Sequence, residues 1–426
     1  MPASSVRQRL TGIVGGSAGN LVEWFDWYAY SALTIYFAPV FFPKGDPTAQ
    51  LLSAAAIFAV GFLVRPIGAW LMGIYSDRHG RKSGLAVSVA MMAGGSLMIA
   101  AAPTYASVGG LAPVVLVVAR MLQGLSVGGE YGASATYLSE LALRNRRAFW
   151  ASFQYVTLIG GQLLALGVVV VLQLVMPEAQ LQAWGWRIAF AVGAVLAIAV
   201  YILRTKLEET SSFTNLATDR PKSSALNLWR AHPREFLLVV AITAGGSTAF
   251  YAYTTYMQKF LVNTTGLTRP SATLVMTIAL LVFMLIQAWW GLAADRWGRK
   301  PFLYLFGFGG MLVTVPVFTA ISTAPSPLVA TGLVLIPLVL LGAYTSISGL
   351  IKAELFPAHI RTLGVALPYA IGNSLFGGTA EYVALWFKQA GVEAAFYWYL
   401  TAIIGMAAVA FVLLPETKRT SLIEED

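Results

Sequence analysis

Long apolar runs separated by short polar segments occupy almost the whole of this 426-residue chain. Each run contains roughly 20 residues or more, which is the length that an α-helix needs to cross a bilayer. The runs lie near residues 12–42, 51–74, 84–102, 113–137, 149–174, 187–204, 236–262, 270–292, 301–321, 328–351, 362–387 and 394–414. This pattern predicts an all-α membrane protein with twelve transmembrane helices. The first run is too long for a signal peptide, so we expect it to be the first span.

One charged loop occurs twice, about half the chain apart. Residues 73–82 and residues 291–300 both fit the pattern Gly-x-x-x-Asp-Arg-x-Gly-Arg-Lys. A repeat of this kind indicates a chain built from two similar halves. We therefore predict an N-terminal six-helix bundle at residues 1–203, a polar cytoplasmic linker at 204–234 and a C-terminal six-helix bundle at 235–426, with the bundles related by a pseudo-twofold axis.

Composition agrees with a membrane location. Only 11% of the residues are charged, against roughly 25% in soluble domains, and the mean hydropathy is +0.70. The net charge of +9 comes from Lys and Arg residues that mostly fall on one side of the predicted spans. The excess of these residues inside the cell places both termini in the cytoplasm and accounts for the charge without a nucleic-acid partner.

Several function classes find no support in the sequence. The chain has no cysteine and three scattered histidines, so disulfides, thiolate catalysis and a cysteine metal site are excluded. No catalytic triad and no long phosphate-binding glycine loop is visible. We therefore expect no cofactor, no metal and no enzyme activity.

Charged residues inside the predicted spans are the main functional candidates, because each costs at least ~2.5–3.5 kcal/mol on insertion scales. They are Glu23, Asp26, Arg65, Arg120, Glu130, Lys259 and Glu381. Counting about 1.5 Å per residue gives similar depths to Glu23 and Arg65, and to Asp26 and Arg120. Matching depths of opposite charges predict a central acid–base cluster that joins spans one, two and four. The alternative for each pair is a buried ion pair that only fixes helix packing.

Arg65 is the first candidate for binding an anionic substrate. It precedes Pro66, which removes a backbone hydrogen bond and can open the helix around a cavity. A guanidinium group also holds a carboxylate in bidentate fashion. Polar side chains on spans five, seven and ten are expected to complete a cavity between the bundles. The predicted substrate-binding residues are Arg65, Tyr251, Lys259, Gln162 and Tyr344.

Proton coupling is expected from acids in surroundings of low polarity, which raise the affinity of a carboxylate for a proton. Glu23 shares a face of the first helix with an amide and aromatic residues; an aromatic packing stripe is the alternative interpretation. The predicted coupling residues are Glu23, Asp26, Arg120 and Glu130.

Gates are predicted at both ends of the spans. In the repeated loop, glycines allow tight turns, and Asp and Arg can form a charge-assisted lock between helices. A positive cytoplasmic loop alone would explain the basic residues but not the repeated Gly and Asp spacing. A Glu also ends both the fourth and the tenth span, and Lys259 and Glu381 fall near the outer end. The predicted gating residues are Asp77, Arg81, Asp295, Arg299, Glu140, Glu354 and Glu381.

These motifs resemble the major facilitator superfamily. The doubled loop and the Arg-Met-Leu-Gln-Gly string at 120–124 carry the superfamily resemblance. The strings at 19–28 and 65–68 resemble its metabolite:proton symporter branch. Longer strings at 151–162, 250–259 and 344–354 are similar to those of α-ketoglutarate-transporting members. One departure is Trp27, where the branch is expected to have Phe.

The resemblance implies a symporter of a bacterial inner membrane that takes up α-ketoglutarate (2-oxoglutarate) with protons by alternating access. It implies that Arg65 binds a substrate carboxylate, that Arg120 contributes to proton coupling and that the repeated loops form inner gates. The lipid bilayer and the small organic anion are the expected partners, and we expect a monomer. Citrate, shikimate and proline or betaine are alternative substrates; an osmolyte carrier of this branch is expected to have a long C-terminal coiled coil. A non-transporting sensor or a passive channel is a further alternative.

Overall fold

The computed structural model describes residues 4–79, 81–128, 131, 135–136, 139, 144–205, 225–357 and 360–423. Within these ranges it describes all side chains except those of residues 4–18, 73–85, 144 and 203–205. Every regular element in the described residues is helical, as the apolar pattern predicts.

The described helices form twelve successive spans, which we number α1 to α12. Those of the first half are α1 (Ser4–Phe41), α2 (Pro47–Leu63 and Arg65–His79), α3 (Arg81–Ala100), α4 (Leu111–Val127), α5 (Arg147–Val175) and α6 (Trp186–Thr205). Those of the second half are α7 (Pro233–Tyr251 and Met257–Asn263), α8 (Arg269–Trp297), α9 (Lys300–Ser322), α10 (Pro327–Ala353), α11 (Arg361–Gly372 and Ala380–Gln389) and α12 (Ala394–Leu413).

Local signals in the sequence explain where several spans begin. Asp46, Thr268 and Ser326 precede α2, α8 and α10, and each side chain accepts a hydrogen bond from a backbone N–H of the first turn. Each of these helices also has proline in its first turn, where the missing N–H costs nothing. At the other end of α8, Gly298 has a φ of 96°, a conformation that favours glycine.

Two predicted boundaries differ from the structure. Helical structure leading into α6 begins at Glu178 and passes through a π-helical turn at Leu181–Gly185, whereas the apolar pattern predicts a start near residue 187. A short helix at Ala225–Ala231 lies inside the predicted linker. Residues 206–224 of that linker lie outside the described residues, so the proposed domain limits stay predictions.

Eight described helical segments are long and apolar enough to cross a membrane, and α3 and α4 contribute two shorter apolar helices. Large apolar side chains such as Trp70, Trp289, Leu174 and Leu312 are exposed on the outside of the molecule. This distribution is expected for a surface that faces lipid. In α7, by contrast, 83% of an apolar stretch of 18 residues is buried, against 39–56% of the corresponding stretches in the other seven segments. The enclosure of α7 explains how it tolerates its polar side chains.

The two halves pack as separate groups of helices that meet along a few spans. In the first half, α1 packs on α5 and α3 packs on both α4 and α6; in the second, α12 packs on α7 and α9. Contacts between the halves join α5 to α8 and α10, and α2 to α11. These helices, together with α1 and α7, which are joined by hydrogen bonds of Tyr28 and Ser31, build the interface between the bundles.

Three interruptions of helical geometry lie in spans that contain buried polar residues. The second span is interrupted at Val64, immediately before Arg65 and Pro66. Residues Ala252–Tyr256 of α7 and Asn373–Gly377 of α11 form π-helical turns. Such turns commonly mark functional sites, because they leave backbone groups and side chains in irregular positions.

Candidate functional site

A narrow cavity lies between the two halves of the molecule. It is lined by Glu23, Trp24, Arg65, Val127, Gly128, Tyr131, Tyr369, Ala370 and Asn373. The lining comes from α1, α2, the region of α4 and residue 131, and α11. The cavity is thus bounded by both bundles, as the sequence predicts for a substrate site.

Arg65 brings a buried cation to this cavity. Its side chain is only 4% exposed, and its guanidinium carbon lies 3.8 Å from the ring centroid of Phe62 and 4.2 Å from that of Trp27. Its Nε and Nη2 atoms are buried without a hydrogen-bond partner. In the described part of the chain, Arg65 forms no ion pair. Because a buried charge is costly unless it is paired, this group can accept a carboxylate.

Other buried polar atoms near the cavity also lack partners. The Tyr251 hydroxyl has none, and neither do the side-chain oxygen and nitrogen of Asn373. The Tyr251 ring lies 5.1 Å from that of Phe62, which also contacts Arg65. The sequence predicts Tyr251 as a binding residue but misses Asn373, whose only signal is an amide within an apolar span. Gln162, also predicted, is buried with Oε1 unpartnered.

Tyr344 lies in a different setting from the other predicted binding residues. Its hydroxyl donates to the Ile242 carbonyl at 3.1 Å. Its ring stacks on Phe306 with centroids 5.2 Å apart. These contacts hold Tyr344 within the second bundle, so its part in substrate binding stays a prediction.

Lys352 is a buried cation that the sequence does not single out as a binding residue. The helix α10 continues to Ala353, and Lys352 is fully buried. Its Nζ donates to Ser348 Oγ at 2.9 Å and to the Tyr131 hydroxyl at 3.4 Å. The available signal was the spacing of Tyr344, Ser348 and Lys352, which places three polar residues on one helix face.

Asp26 and Arg120 are connected through two intervening side chains. Asp26 Oδ2 accepts a hydrogen bond from Ser96 Oγ, which in turn accepts one from Gln123 Nε2 at 3.0 Å. Gln123 Oε1 accepts from Arg120 Nη1 at 2.7 Å. The structure therefore adds Ser96 of the third span to the predicted cluster of spans one, two and four. Ser96 was missed because a neutral hydroxyl gives no charge signal.

Both ends of this chain of hydrogen bonds have atoms without a hydrogen-bond partner. Asp26 Oδ1 and Arg120 Nε and Nη2 are buried without partners, and the Arg120 guanidinium lies 3.7 Å from the Trp27 ring centroid. No direct ion pair joins Asp26 to Arg120 among the described residues. A proton can therefore be gained or lost at Asp26 without breaking a salt bridge.

Lys259 and Glu381 meet at the predicted outer end. Lys259 Nζ lies 2.9 Å from Glu381 Oε1, and both side chains are almost completely buried. Ser31 of α1 joins the pair: its hydroxyl donates to Glu381 Oε2 at 3.1 Å, and Lys259 donates to Ser31 Oγ at 2.7 Å. The sequence predicts the two charges at one level. The structure adds that they lie at the junction between the bundles.

Asp295, Arg299 and Glu354 meet at the opposite, predicted cytoplasmic end. Arg299 lies 3.4 Å from Asp295 Oδ1 and 3.3 Å from Glu354 Oε1. The two Asp295 oxygens also accept hydrogen bonds of 2.9 Å from the backbone N–H groups of Ala148 and Phe149 at the start of α5. Burial raises the pKa of the Glu354 carboxyl, and the Arg299 guanidinium opposes that shift. Asp295 therefore connects the two bundles at this end.

A further carboxylate, Glu416, lies at the same end and is not predicted from the sequence. Glu416, which follows α12, accepts hydrogen bonds from the backbone N–H groups of Arg299 and Lys300 at 2.9 and 3.0 Å. It thereby caps the start of α9. Its signal was weak, since exposed acids near a chain terminus are common.

Some predicted residues cannot be compared with the structure. Glu130 and Glu140 lie outside the described residues, and so do the side chains of Asp77 and Arg81. Among the described residues, no group of three or more His, Cys, Asp or Glu could hold a metal ion.

The bundles contact each other on both sides of the cavity. The Ser31, Lys259 and Glu381 contacts close the predicted outer end. Asp295 joins α8 to α5 at the other end. Contacts between the bundles therefore lie at both ends of the molecule.

Comparisons with known proteins agree with this architecture. The family described as "Sugar (and other) transporter" matches residues 13–225 and 214–426. The chain is 54% identical to Alpha-ketoglutarate permease of Escherichia coli (strain K12), over 97% of this chain and 94% of that protein. It is 31% identical to the Citrate-proton symporter of Klebsiella pneumoniae, over 96% and 95%. The xylose transporter XylE from E. coli, solved in a partially occluded inward-open conformation, aligns with a TM-score of 0.79 at 18% identity, over 95% of this chain and 98% of that chain.

Proposed function

Because the chain belongs to the sugar (and other) transporter family, we propose that it is a secondary active transporter that carries 2-oxoglutarate together with protons. The relative of 54% identity that is named Alpha-ketoglutarate permease supports this substrate. We place the protein in a bacterial inner membrane as a monomer, with both termini in the cytoplasm, as the distribution of Lys and Arg predicts.

The observation that carries the proposal is the buried guanidinium of Arg65. Its Nε and Nη2 atoms lack partners, and the residue lines a cavity bounded by both bundles. A carboxylate bound there would supply the missing hydrogen bonds in bidentate geometry, which is the geometry that guanidinium groups favour. The rings of Trp27 and Phe62, which both lie against the guanidinium, would keep it in place before the substrate arrives.

Proton coupling is assigned to Asp26, with Arg120 as the positive group that responds to it. The chain of hydrogen bonds through Ser96 and Gln123 links the two residues. A change of charge at Asp26 would therefore alter the hydrogen bonding of Arg120. Glu23 remains a second candidate for the proton site, because it lines the cavity beside Arg65.

Alternating access follows from the contacts at the two ends. Opening towards the outside requires the contacts of Ser31 with Lys259 and Glu381 to separate, whereas opening towards the cytoplasm requires Asp295 to leave the start of α5. Rocking of one bundle against the other around a fixed central site is the usual mechanism of carriers built from two related halves.

Uptake of labelled 2-oxoglutarate into proteoliposomes, with and without an inward proton gradient, tests the proposal. We expect gradient-dependent accumulation that unlabelled 2-oxoglutarate blocks and that citrate and shikimate do not. The Arg65→Ala variant should lose uptake, Arg65→Lys should retain a small part of it, and Arg230→Ala, at an exposed position of the Ala225–Ala231 helix, should behave as the wild type.

Two results would contradict the proposal. Normal uptake by Arg65→Ala would remove the assigned role of that residue. Absence of 2-oxoglutarate uptake by folded wild-type protein, together with uptake of citrate, shikimate or proline, would favour another substrate of the same class of carrier. Saturable accumulation against a concentration gradient would exclude a passive channel and a non-transporting sensor.

A further inference from the structure

The buried cations Lys259, Arg299 and Lys352 differ in their partners. Lys259 has Glu381 within 2.9 Å, and Arg299 has both Asp295 and Glu354 within 3.4 Å. Lys352 is buried as completely as Lys259, yet no carboxylate among the described residues forms an ion pair with it. Its hydrogen bonds go to two neutral hydroxyls. An ammonium group with this environment lacks the charge compensation that the other two cations have.

The position of Lys352 connects it to the cavity that Arg65 lines. Tyr131 and Tyr369, which both line that cavity, stack face to face with centroids 3.5 Å apart and an angle of 7° between the rings. The Lys352 ammonium lies 4.6 Å from the Tyr369 centroid and 5.3 Å from that of Tyr131. The tyrosine pair therefore contacts Lys352 and lines the same cavity as Arg65. One tyrosine belongs to each half of the chain.

We propose that Lys352 is the second carboxylate-binding cation of this transporter and that the substrate is a dicarboxylate held between Arg65 of the first bundle and Lys352 of the second. The inference rests on the proposed function and deepens it. Separation of Tyr131 from Tyr369 would give the second carboxylate access to Lys352. The first carboxylate would occupy the free N–H groups of Arg65.

Charge balance explains why two cations are useful. A dianion bound to one cation would leave one negative charge buried without compensation, and buried charges are tolerated only when they are paired. A monocarboxylate of the same length would leave Lys352 unpaired, so the pair of cations also selects against monoanions. Lys259, which the sequence predicts as a binding residue, is less suited to this role, because Glu381 already neutralises it.

The geometry also gives the substrate a mechanical role. Arg65 lies on α2 and Lys352 on α10, so a dianion that contacts both would join the two bundles. A ligand with one carboxylate could join only one bundle. Substrate length and charge would therefore both influence whether the bundles can rock together.

The test compares 2-oxoglutarate with 2-oxopentanoate, a 2-oxo acid with the same five carbons that lacks the second carboxylate. Binding of each is measured on purified protein from the ligand-induced shift of the thermal unfolding midpoint, so that a variant without transport activity is still informative. Wild-type protein should prefer 2-oxoglutarate by at least about ten-fold, since a hydrogen-bonded charge pair discriminates by this amount.

Three variants make the comparison specific. Lys352→Gln should weaken 2-oxoglutarate binding by about ten-fold or more and leave 2-oxopentanoate binding within two-fold of the wild type, so that the preference largely disappears. Lys352→Arg, which keeps the charge, should restore part of the preference. Lys388→Gln removes a cation at the far end of α11, where Glu393 pairs with it, and should leave the preference unchanged.

The outcomes separate this inference from the proposed function. If wild-type protein neither binds nor transports 2-oxoglutarate, the proposed function itself fails. If wild-type protein binds it and Lys352→Gln keeps the full preference, the role of Lys352 is overturned. Equal weakening of both ligands in Lys352→Gln, without rescue by Lys352→Arg, would likewise overturn it, because that result indicates a packing role alone.

Discussion

Neutralising either member of the buried pair of Lys259 and Glu381 should release the predicted outer gate. The charges are 2.9 Å apart, and the side chains are 0% and 3% exposed. At this distance Coulomb's law gives an attraction of about 6 kcal/mol for an effective dielectric constant of about 20. Much of that attraction offsets the cost of removing both ions from water. Removal of one partner leaves a buried uncompensated charge and costs about 3–5 kcal/mol.

The double variant is the informative one. Lys259→Met and Glu381→Leu should each lower the thermal unfolding midpoint, whereas the variant that carries both substitutions should be more stable than either single variant, because no buried charge is left unpaired. Glu178→Gln provides the matched control. It removes a shorter contact of 2.6 Å with Arg269, but those side chains are 59% and 25% exposed, so a change of about 0–1 kcal/mol is expected.

Accessibility of the outer end gives a second readout. The chain has no cysteine, so Thr48→Cys introduces a single thiol at the residue whose hydroxyl accepts a hydrogen bond from Asn263 across the bundles at 3.5 Å. In the Glu381→Leu background this thiol should react with a membrane-impermeant maleimide several-fold faster, and the double substitution should slow the reaction again. Additive losses of stability in the double variant, with unchanged labelling, would refute the gate.

Three further predictions concern the centre, the cytoplasmic end and the packing of the bundles. Asp26→Asn should abolish proton-driven accumulation in proteoliposomes while exchange of internal for external substrate continues, because only the exchange needs no net proton movement. Asp295→Ala removes the acceptor of two backbone N–H groups across the bundles. It should increase the labelling of a single cysteine introduced at the cytoplasmic end, because the contact between the bundles loses about 1–3 kcal/mol. Gly128→Ala would place a methyl group against the backbone of α2 and should destabilise the protein by about 1–3 kcal/mol, whereas Gly94→Ala, with open space around it, should have little effect on the unfolding midpoint.

The architecture could be predicted from the sequence because lipid imposes a simple length and polarity rule on each span. Most predicted span limits lie within a few residues of the helices in the structure. The start of α1 lies several residues before its predicted limit, and helical structure also begins earlier than predicted before α6. Trp184 and Trp186 lie in its irregular first part, and their amphipathic rings resemble those of an interfacial segment, which an apolar window cannot separate from the span.

The candidate site was predicted less completely, because depth along a helix is readable from sequence and rotation about its axis is not. Depth counting correctly brought Lys259 together with Glu381. It also gave Asp26 and Arg120 the same level, but it could not show that Ser96 and Gln123 lie between them. Neutral groups that only pass on hydrogen bonds give little signal in a sequence, even where they decide which charged groups communicate.

Pairing, rather than burial, distinguishes four of the buried cations of this protein. At the two ends, Lys259 and Arg299 are neutralised by carboxylates of the same chain, so they can hold helices together without a ligand. At the cavity, Arg65 and Lys352 have no such partner in the described part of the chain. A cation that costs several kcal/mol to bury and is left unpaired is best explained by a charge that arrives from outside. We therefore expect anion binding to stabilise the folded protein strongly, with a gain that disappears when Arg65 is replaced by Ala.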